Sequence, residues 1–547
     1  MLARECAPEN AGVAGYAEAF RCVLSGKQAS IQSRYLRTAI PGTAPLHQFR
    51  KDHPMKTLSK LLTGLDYRIL QGSLDMIEKT YITALISDSR KATEGALFVC
   101  IRGANSDGHS FAAAVADVGA KCLIVEEPVD VRSDCIVLKV NNSRNALALL
   151  SAAWFDHPDR SVKVIGITGT KGKTTTTYMI KNILENAGKK VGLIGTIETI
   201  IGDEHIPSKN TTPESYVVFD YLSRMRDAGI GICVMEVSSQ GLMLSRVDGI
   251  DFEIGIFTNI SPDHIGKNEH KDFDDYLHCK SLLFTKCKKG IINNDDIHKT
   301  DIIRDATCEI ETFGFSGGCD YRATDLSFEN ESGALSIRFH VSGKCDLDCT
   351  VSMPGRFSAM NSLAAIAVCR HFNASEGDIK KALQSTKVKG RIESFPLPEK
   401  YNCTVLIDYA HNAVSLESLL ETLKEYQPKR IVTLFGCGGN RAAERRYEMG
   451  EVSGRLSDFT IITSDNPRFE DPLQIMKDIE TGIKKTAGEY TMIEDRFLAI
   501  KYALSNSKDG DVIVLAGKGH EDYQEIKGKK YPMDERELLS RAVEELS

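Results

Sequence analysis

No run of about 18 uninterrupted apolar residues occurs in the sequence, so no membrane-spanning helix is expected. There is no basic block either. The 68 Lys and Arg against 75 Asp and Glu leave a net charge of −7, spread along the chain. Nucleic acid and anionic membrane are therefore excluded as partners on charge grounds. The 15 cysteines are scattered singly, and the one close pair, Cys345 and Cys349, lacks a second pair at zinc-site spacing. A disulfide framework would be unusual in so large a chain, so reduced thiols and a cytoplasmic location are expected. No internal repeat or low-complexity tract stands out.

What remains is the composition of an ordinary globular protein, 42% apolar and 26% charged. At about 150 residues per domain, 547 residues make three or four domains. Residues 1–54 differ from the rest: they lack sustained periodicity, and they lack the apolar core and small-residue cleavage pattern of a signal peptide. Glu5, Glu9 and Glu18 sit poorly in a transit peptide. A disordered extension, or translation starting at Met55, is the expectation. Leu58, Leu61, Leu62 and Leu65 then read as the start of a helix.

Three units follow. In residues 55–157, Ala96–Ile101 and Cys122–Val125 read as strands, with an Ala-rich helix from Phe111 to Val118 between them. Asn142 or Ser143 can cap a helix that His157-Pro158 ends. Residues 158–388 alternate apolar runs (Val162–Ile167, Lys190–Ile194, Gly231–Val237, Phe252–Ile260) with helical sequence, which implies a mostly parallel sheet flanked by helices. A β-rich stretch from about Ile310 to Val351 and a helix over Asn361–Ala374 close this unit. Residues 389–547 read as α/β again, with strands at Thr404–Ile407, Arg430–Phe435, Phe459–Thr463 and Asp511–Leu515 and a helix over Ser415–Tyr426.

The strongest local signal is Gly169-Thr170-Lys171-Gly172-Lys173-Thr174-Thr175, after a strand and opening a helix. Glycines let backbone N–H groups curl around phosphate, and the helix start adds favourable partial charge. Lys173 would reach the terminal phosphates and Thr174 a Mg²⁺ ion. Ile167 stands where the general phosphate-loop pattern has its first glycine. A Gly/Thr-rich turn with a surface lysine is the plainer alternative. Glu236, in Met235-Glu236-Val237-Ser238-Ser239, lies at the carboxyl end of an apolar strand, where ligands of open α/β sheets gather. Asp263-His264 and Tyr276-Leu277-His278-Cys279-Lys280 follow. Taken singly, a strand-end Glu is solvated, a His after a strand is structural, and a helical Lys is a surface charge.

Together, in this order and at about these spacings, the motifs resemble the Mur ligase family, from about Ser87 to Glu535. The resemblance implies an α/β fold in three domains: a small UDP-sugar domain, a central P-loop-type ATPase domain and a Rossmann-like C-terminal domain. It implies ATP as co-substrate, Mg²⁺, and a carbamate on Lys280 that turns an ammonium into an oxygen ligand suited to Mg²⁺. Lys173, Glu236, His264 and carbamylated Lys280 would be catalytic, the last three with Thr174 holding metal. Asn361, Arg391 and Asp408 would complete the nucleotide site with residues 169–175. Ser358 and the pair Asn412-Ala413 depart from the family pattern there, and His264 to Lys280 is about two residues long, around Gly266–Glu269.

Further motifs resemble the branch of the family that adds the third amino acid of a peptidoglycan precursor. Ser87-Asp88-Ser89-Arg90 and Asp107-Gly108-His109 look like its UDP-sugar cradle; Ser89, Thr211, Thr212, Ser238 and Arg246 would contact UDP-MurNAc-L-Ala-D-Glu, with Leu244 replacing a common Gln. Arg441, Asp465, Asn466, Arg468, Gly517 and Glu521 resemble the set that binds meso-diaminopimelate. A guanidinium at Arg468 can pair bidentately with the distal carboxylate, which lysine lacks, and Glu521 could receive the distal ammonium. The product would be an amide made through an acyl phosphate, by a monomer. The alternatives are the same ligase using L-lysine or another diamino acid, a folylpolyglutamate-type relative, and a non-catalytic ATP-binding module.

Overall fold

The computed structural model describes residues 55–104, 106–266, 269–331 and 334–547. The expected extension over residues 1–54 lies outside the described residues. Lys56–Thr57 pairs as a strand with Tyr81–Ile82, and the helix anticipated after Met55 is a single turn, Leu58–Leu61. Gly64, at φ +82°, takes the chain out of that turn before a second can form.

The first sheet comprises β1 (Arg68–Gln71), β2 (Ala84–Ile86), β3 (Ala96–Val99), β4 (Cys122–Val125) and β5 (Ile136–Lys139), in the order β1-β5-β4-β3-β2. Helix α1 (Ala112–Val118) begins after a 3₁₀ turn, so Phe111 caps it and does not belong to it. In α2 (Ser143–Trp154) the Asn142 side chain accepts from the Arg144 and Asn145 N–H groups, the cap its sequence foretold.

The central sheet has eleven strands: β6 (Lys163–Thr168), β7 (Val191–Ile194), β8 (Glu198–Ile201), β9 (Glu204–Pro207), β10 (Ile232–Glu236), β11 (Phe252–Phe257), β12 (Cys287–Asn293), β13 (Glu309–Gly314), β14 (Tyr321–Glu331), β15 (Ala334–Gly343) and β16 (Leu347–Val351). Their order is β9-β8-β7-β10-β6-β11-β12-β13-β14-β15-β16. The run from β7 through β14 is parallel, and antiparallel pairs finish both edges. The middle strands are buried along their length, as parallel strands covered on both faces must be. Helices α3 (Lys173–Asn186), α4 (Ser239–Met243), α5 (Phe273–Ser281) and α6 (Arg356–His371) belong to this unit. Helix α6 starts five residues before the sequence reading placed it, because Gly355 (φ +95°) turns the chain straight into it.

The third sheet has the order β17-β18-β22-β19-β20-β21, with β17 (Glu393–Phe395), β18 (Thr404–Asp408), β19 (Arg430–Phe435), β20 (Phe459–Ile462), β21 (Tyr490–Met492) and β22 (Asp511–Ala516). Only β17 runs antiparallel. The hairpin β23 (Tyr523–Ile526) and β24 (Lys529–Pro532) follows. Helices α7 (Ala413–Lys424), α8 (Glu444–Leu456), α9 (Pro472–Ile483), α10 (Arg496–Ser505) and α11 (Glu535–Glu545) complete it. Among the described residues no helix is long and apolar enough to cross a membrane, and their thirteen cysteines are free thiols.

Candidate functional site

The phosphate-loop sequence forms a loop between β6 and α3. A Cβ on Gly169 (φ +147°) would lie 2.0 Å from Thr258 Oγ1, and one on Gly172 (φ +87°) 2.5 Å from Asn361 Oδ1. Only glycine lets the chain turn there with its backbone against both neighbours. The loop is tied to the end of the adjacent strand β11: Asn259 Oδ1 accepts from the Lys171 N–H at 2.9 Å, and Thr258 Oγ1 donates to the Lys171 carbonyl at 2.7 Å. Lys173 Nζ folds back onto the carbonyls of Gly169 (2.7 Å) and Thr170 (3.1 Å). Asn361, on α6, thereby sits against the loop where the sequence reading placed the nucleotide.

Glu236 ends β10, one strand from the loop, and is almost wholly buried. Its carboxylate accepts from Thr174 Oγ1 (3.0 Å), Thr196 Oγ1 (2.9 Å) and the Thr196 N–H (2.8 Å). Lys280 is 1% exposed, and no carboxylate lies within ion-pair distance of it among the described residues. Its amine stands 4.3 Å from the centre of the Tyr276 ring, one turn back on α5, while Tyr276 Oη meets Thr170 Oγ1 at 3.0 Å. Burial, and then the nearby Lys173, push the Lys280 amine well below its ordinary pKa. Burial also lowers Lys173, with Glu236 opposing.

Among the described residues His264 makes no hydrogen bond within this group, although its ring centre lies 6.3 Å from that of Tyr276. Its side chain is half exposed, with Nδ1 3.3 Å from Glu269 Oε1, and among the described residues no hydrogen bond joins it to Glu236 or Lys280. The long connection to α5 includes two residues outside the described set. A different histidine is built into the interior: His270, fully buried, joins Ser239 Oγ at 2.9 Å and Asp275 Oδ2 at 3.0 Å, and lies against Tyr276. Sequence reasoning missed His270 and Thr196, because neither lies in a motif.

Thr211, Thr212, Ser238 and Arg246 gather around the end of β10. Thr212 Oγ1 donates to the Glu236 carbonyl (2.9 Å) and accepts from the Ser238 N–H (2.9 Å). Arg246 reaches the Thr212 carbonyl at 3.0 Å and Glu214 at 2.7 Å, and Thr211 meets Thr196 at 3.1 Å. Ser89 lies in the first sheet's unit, in a 3₁₀ turn capped by Asp88, and no hydrogen bond joins it to that group among the described residues.

In the third unit, Asp465, Asn466 and Arg468 follow β20, and Gly517 and Glu521 follow β22, all at the carboxyl ends of strands. Asn466 Nδ2 donates to Glu521 Oε2 at 2.9 Å. Lys518, wholly buried, reaches Asn466 Oδ1 and Glu521 Oε2, each at 3.0 Å. It lies inside the Gly-Lys-Gly-His-Glu motif, yet sequence reasoning gave it no role. Arg468 (φ +52°) donates to the Gly439 carbonyl at 2.7 Å and pairs with Glu525 at 3.1 Å. Arg441 is exposed and makes no side-chain bond to the group among the described residues. Asp408 accepts from the Ile392 N–H at 2.8 Å, and Arg391 stacks 5.1 Å from the Tyr409 ring. Burial raises the Asp408 carboxyl, with Arg391 opposing.

Residues 81–155 match the Mur ligase family catalytic domain, 167–369 the Mur ligase middle domain, and 390–519 the Mur ligase glutamate ligase domain. The chain is 40% identical over 493 residues to UDP-N-acetylmuramoyl-L-alanyl-D-glutamate–2,6-diaminopimelate ligase of Clostridium perfringens, covering 89% of this chain and 99% of that one. A solved structure of a ligase with the same name superposes with a TM-score of 0.67 at 25% identity, over 90% of this chain and 99% of that one. The MurF ligase of Thermotoga maritima in complex with ADP shares the fold, with a TM-score of 0.55 at 19% identity over 85% and 98% of the two chains. With a phosphate loop, strand-end carboxylate and buried lysine on one parallel sheet, and this likeness along nearly its whole described length, the chain belongs to the Mur ligase family.

Proposed function

We propose that the chain is an ATP-dependent ligase that joins meso-diaminopimelate to the D-Glu γ-carboxylate of UDP-MurNAc-L-Ala-D-Glu, in the cytoplasm. The observation that carries this reading is the grouping of Lys173, Glu236 and Lys280 beside a glycine loop, on a chain aligned with 99% of a relative of that name. Nucleotide binding alone needs neither the buried carboxylate nor the second buried lysine. A folate ligase has no need of a UDP-sugar domain, and residues 81–155 match the Mur ligase catalytic domain.

The residues fit Mg²⁺ and a carbamate. Glu236 and Thr174 are hard oxygen donors 3.0 Å apart, the kind Mg²⁺ prefers. Burial favours the neutral Lys280 amine, whose lone pair would attack CO₂ with loss of a proton to give R–NH–COO⁻. That anion would attract the Lys173 ammonium, which disfavours a second positive charge at Lys280. Glu236, Thr174 and the carbamate would hold the metal, which screens phosphate charge when bound; His264 would join only after leaving Glu269.

Phosphoryl transfer needs positioning and charge neutralisation more than covalent help. The N–H groups of residues 169–175 and the Lys173 ammonium would hold the ATP phosphates. Thr211, Thr212, Ser238 and Arg246 would place the dipeptide so that its γ-carboxylate meets the γ-phosphate and forms an acyl phosphate. The diaminopimelate amine would then attack the activated carbonyl and expel phosphate. In the third unit, Arg468 would pair with the distal carboxylate, and Asp465, Asn466, Gly517 and Glu521 would surround the distal ammonium. Asn361, Arg391 and Asp408 would hold the nucleoside. Closing the third unit over the acyl phosphate would exclude water.

The test is phosphate release with ATP, Mg²⁺ and UDP-MurNAc-L-Ala-D-Glu, comparing meso-diaminopimelate, L-lysine and no amino acid. Release dependent on diaminopimelate is the expected result. A preference for lysine would keep the ligase and remove the Arg468 argument; silence with every amine would overturn the reading.

A further inference from the structure

One charged pair in the third unit is buried more deeply than Asp465 or Asn466. Arg496 and Glu535 are 1% and 0% exposed in their side chains, and the guanidinium reaches Glu535 Oε1 from Nε (2.9 Å) and Nη2 (2.7 Å). They are the first residues of α10 and α11. Burying such a pair costs desolvation energy that an apolar pair avoids, so the pair alone does not explain its presence.

The rest of the guanidinium does something an apolar side chain cannot. Nη1 donates to the Ser464 carbonyl at 3.2 Å and Nη2 to the Ala516 carbonyl at 3.1 Å. Ser464 immediately precedes Asp465-Asn466-Pro467-Arg468, and Ala516 immediately precedes Gly517-Lys518-Gly519-His520-Glu521. The strands that feed these loops, β20 and β22, are not neighbours, since β19 lies between them. No sheet hydrogen bond therefore sets the distance between the two loops. Side chains span it: Asn466 bonds Glu521 and Lys518 farther along the loops, and Arg496 grips both backbones where the loops leave the sheet.

Resting on the ligase reading above, we propose that Arg496, seated on Glu535, is a positioning residue for the amino-acid substrate. By fixing the separation of the two loops it sets how Asp465 and Arg468 face Gly517 and Glu521. Glu535 orients the guanidinium and balances its charge, leaving two donors for the carbonyls.

The experiment compares steady-state phosphate release by the full chain with three variants: Arg496→Lys, Arg496→Met, and the double replacement Arg496→Met with Glu535→Leu. The bonds leave from three nitrogens of a planar fork, which one ammonium nitrogen cannot span, so Arg496→Lys is expected to raise KM for diaminopimelate several-fold. Arg496→Met is expected to raise it about tenfold or more, the loss of two hydrogen bonds from a charged donor. KM for ATP and for the UDP-linked dipeptide should stay within about twofold, because those residues lie on other loops. The double variant removes the stranded carboxylate, so its thermal stability should recover while KM for the amino acid stays raised. A double variant as stable as the unmodified enzyme with an unchanged KM would overturn the proposal, leaving the pair a purely stabilising element. Should the methionine variants not fold, an unchanged KM in Arg496→Lys overturns it equally. If the unmodified enzyme releases no phosphate with diaminopimelate, the ligase reading fails and this inference falls with it, a result distinct from failure in the variants alone.

Discussion

Lys280 is the residue whose setting most departs from what its type suggests. A helical lysine ordinarily keeps its ammonium in water, yet this one is buried against Tyr276 and driven toward the neutral form. Lys280→Ala should abolish phosphate release, and short carboxylates such as formate or acetate should restore part of it by filling the vacated volume with an anion. An unaffected Lys280→Ala enzyme would remove the carbamate from the proposal. Arg468 makes the second prediction at this scale. Glu525 and the Gly439 carbonyl hold its Nε and Nη1, while Nη2 makes no hydrogen bond among the described residues. Arg468→Lys should raise KM for diaminopimelate by about tenfold to a hundredfold, the range for a lost charge-assisted hydrogen bond, with KM for ATP unchanged. Equal KM values would place Arg468 outside the amino-acid site.

At the scale of elements, glycine decides two close approaches. In the third unit α8 and α9 touch backbone to backbone: a Cβ on Gly450 would lie 2.1 Å from the Ile479 carbonyl oxygen, and one on Gly482 2.0 Å from that of Tyr447. Arg446 pins the same crossing through Glu470 and Asp478. Gly450→Ala should therefore destabilise the chain by about 1–3 kcal/mol through overpacking, although alanine is the better helix former. Urea unfolding reads this directly, and an unchanged or raised midpoint would contradict the crossing. The sequence reading named neither α8 nor α9, although α9 buries Ile475, Met476, Ile479 and Ile483 on one face. The strands were far more legible. Cys122–Val125 and Arg430–Phe435 read from sequence as they stand in the structure, because buried parallel strands are continuous apolar runs. The helix expected at Leu58 was over-read, because leucine spacing says nothing of where Gly64 ends the turn.

For the molecule as a whole, the join between the central and third units carries a pH dependence. His520 lies against Tyr409, near Arg391 on the connecting segment, and burial followed by Arg391, Lys389 and Arg536 lowers its pKa from 6.5 to about 4. The unfolded chain therefore binds protons that the folded chain refuses. Stability is fully present above about pH 6.5, and it is lost progressively as pH falls toward about 4. Melting temperature should decline over that window, and His520→Asn should flatten the decline. Parallel curves for the two proteins would show that His520 is not the group responsible.

The sequence alone determined the α/β class, the alternation that builds parallel sheets, and the motifs at strand ends. These depend on neighbours along the chain: apolar runs, glycines that permit a turn, and polar residues placed where strands stop. It also supplied the resemblance that joined separate motifs into one site. Tertiary structure alone decided which of those residues meet. Thr196 on Glu236, His270 between Ser239 and Asp275, and Arg496 across two loops are contacts between residues 40, 31, 5, 32 and 20 positions apart, and no local pattern records them. The same holds for His264, which the motif places with the lysine and the structure leaves beside Glu269. Charge and burial are properties of assembled surroundings, so a buried neutral lysine and a solvated one are spelled alike until the chain is folded.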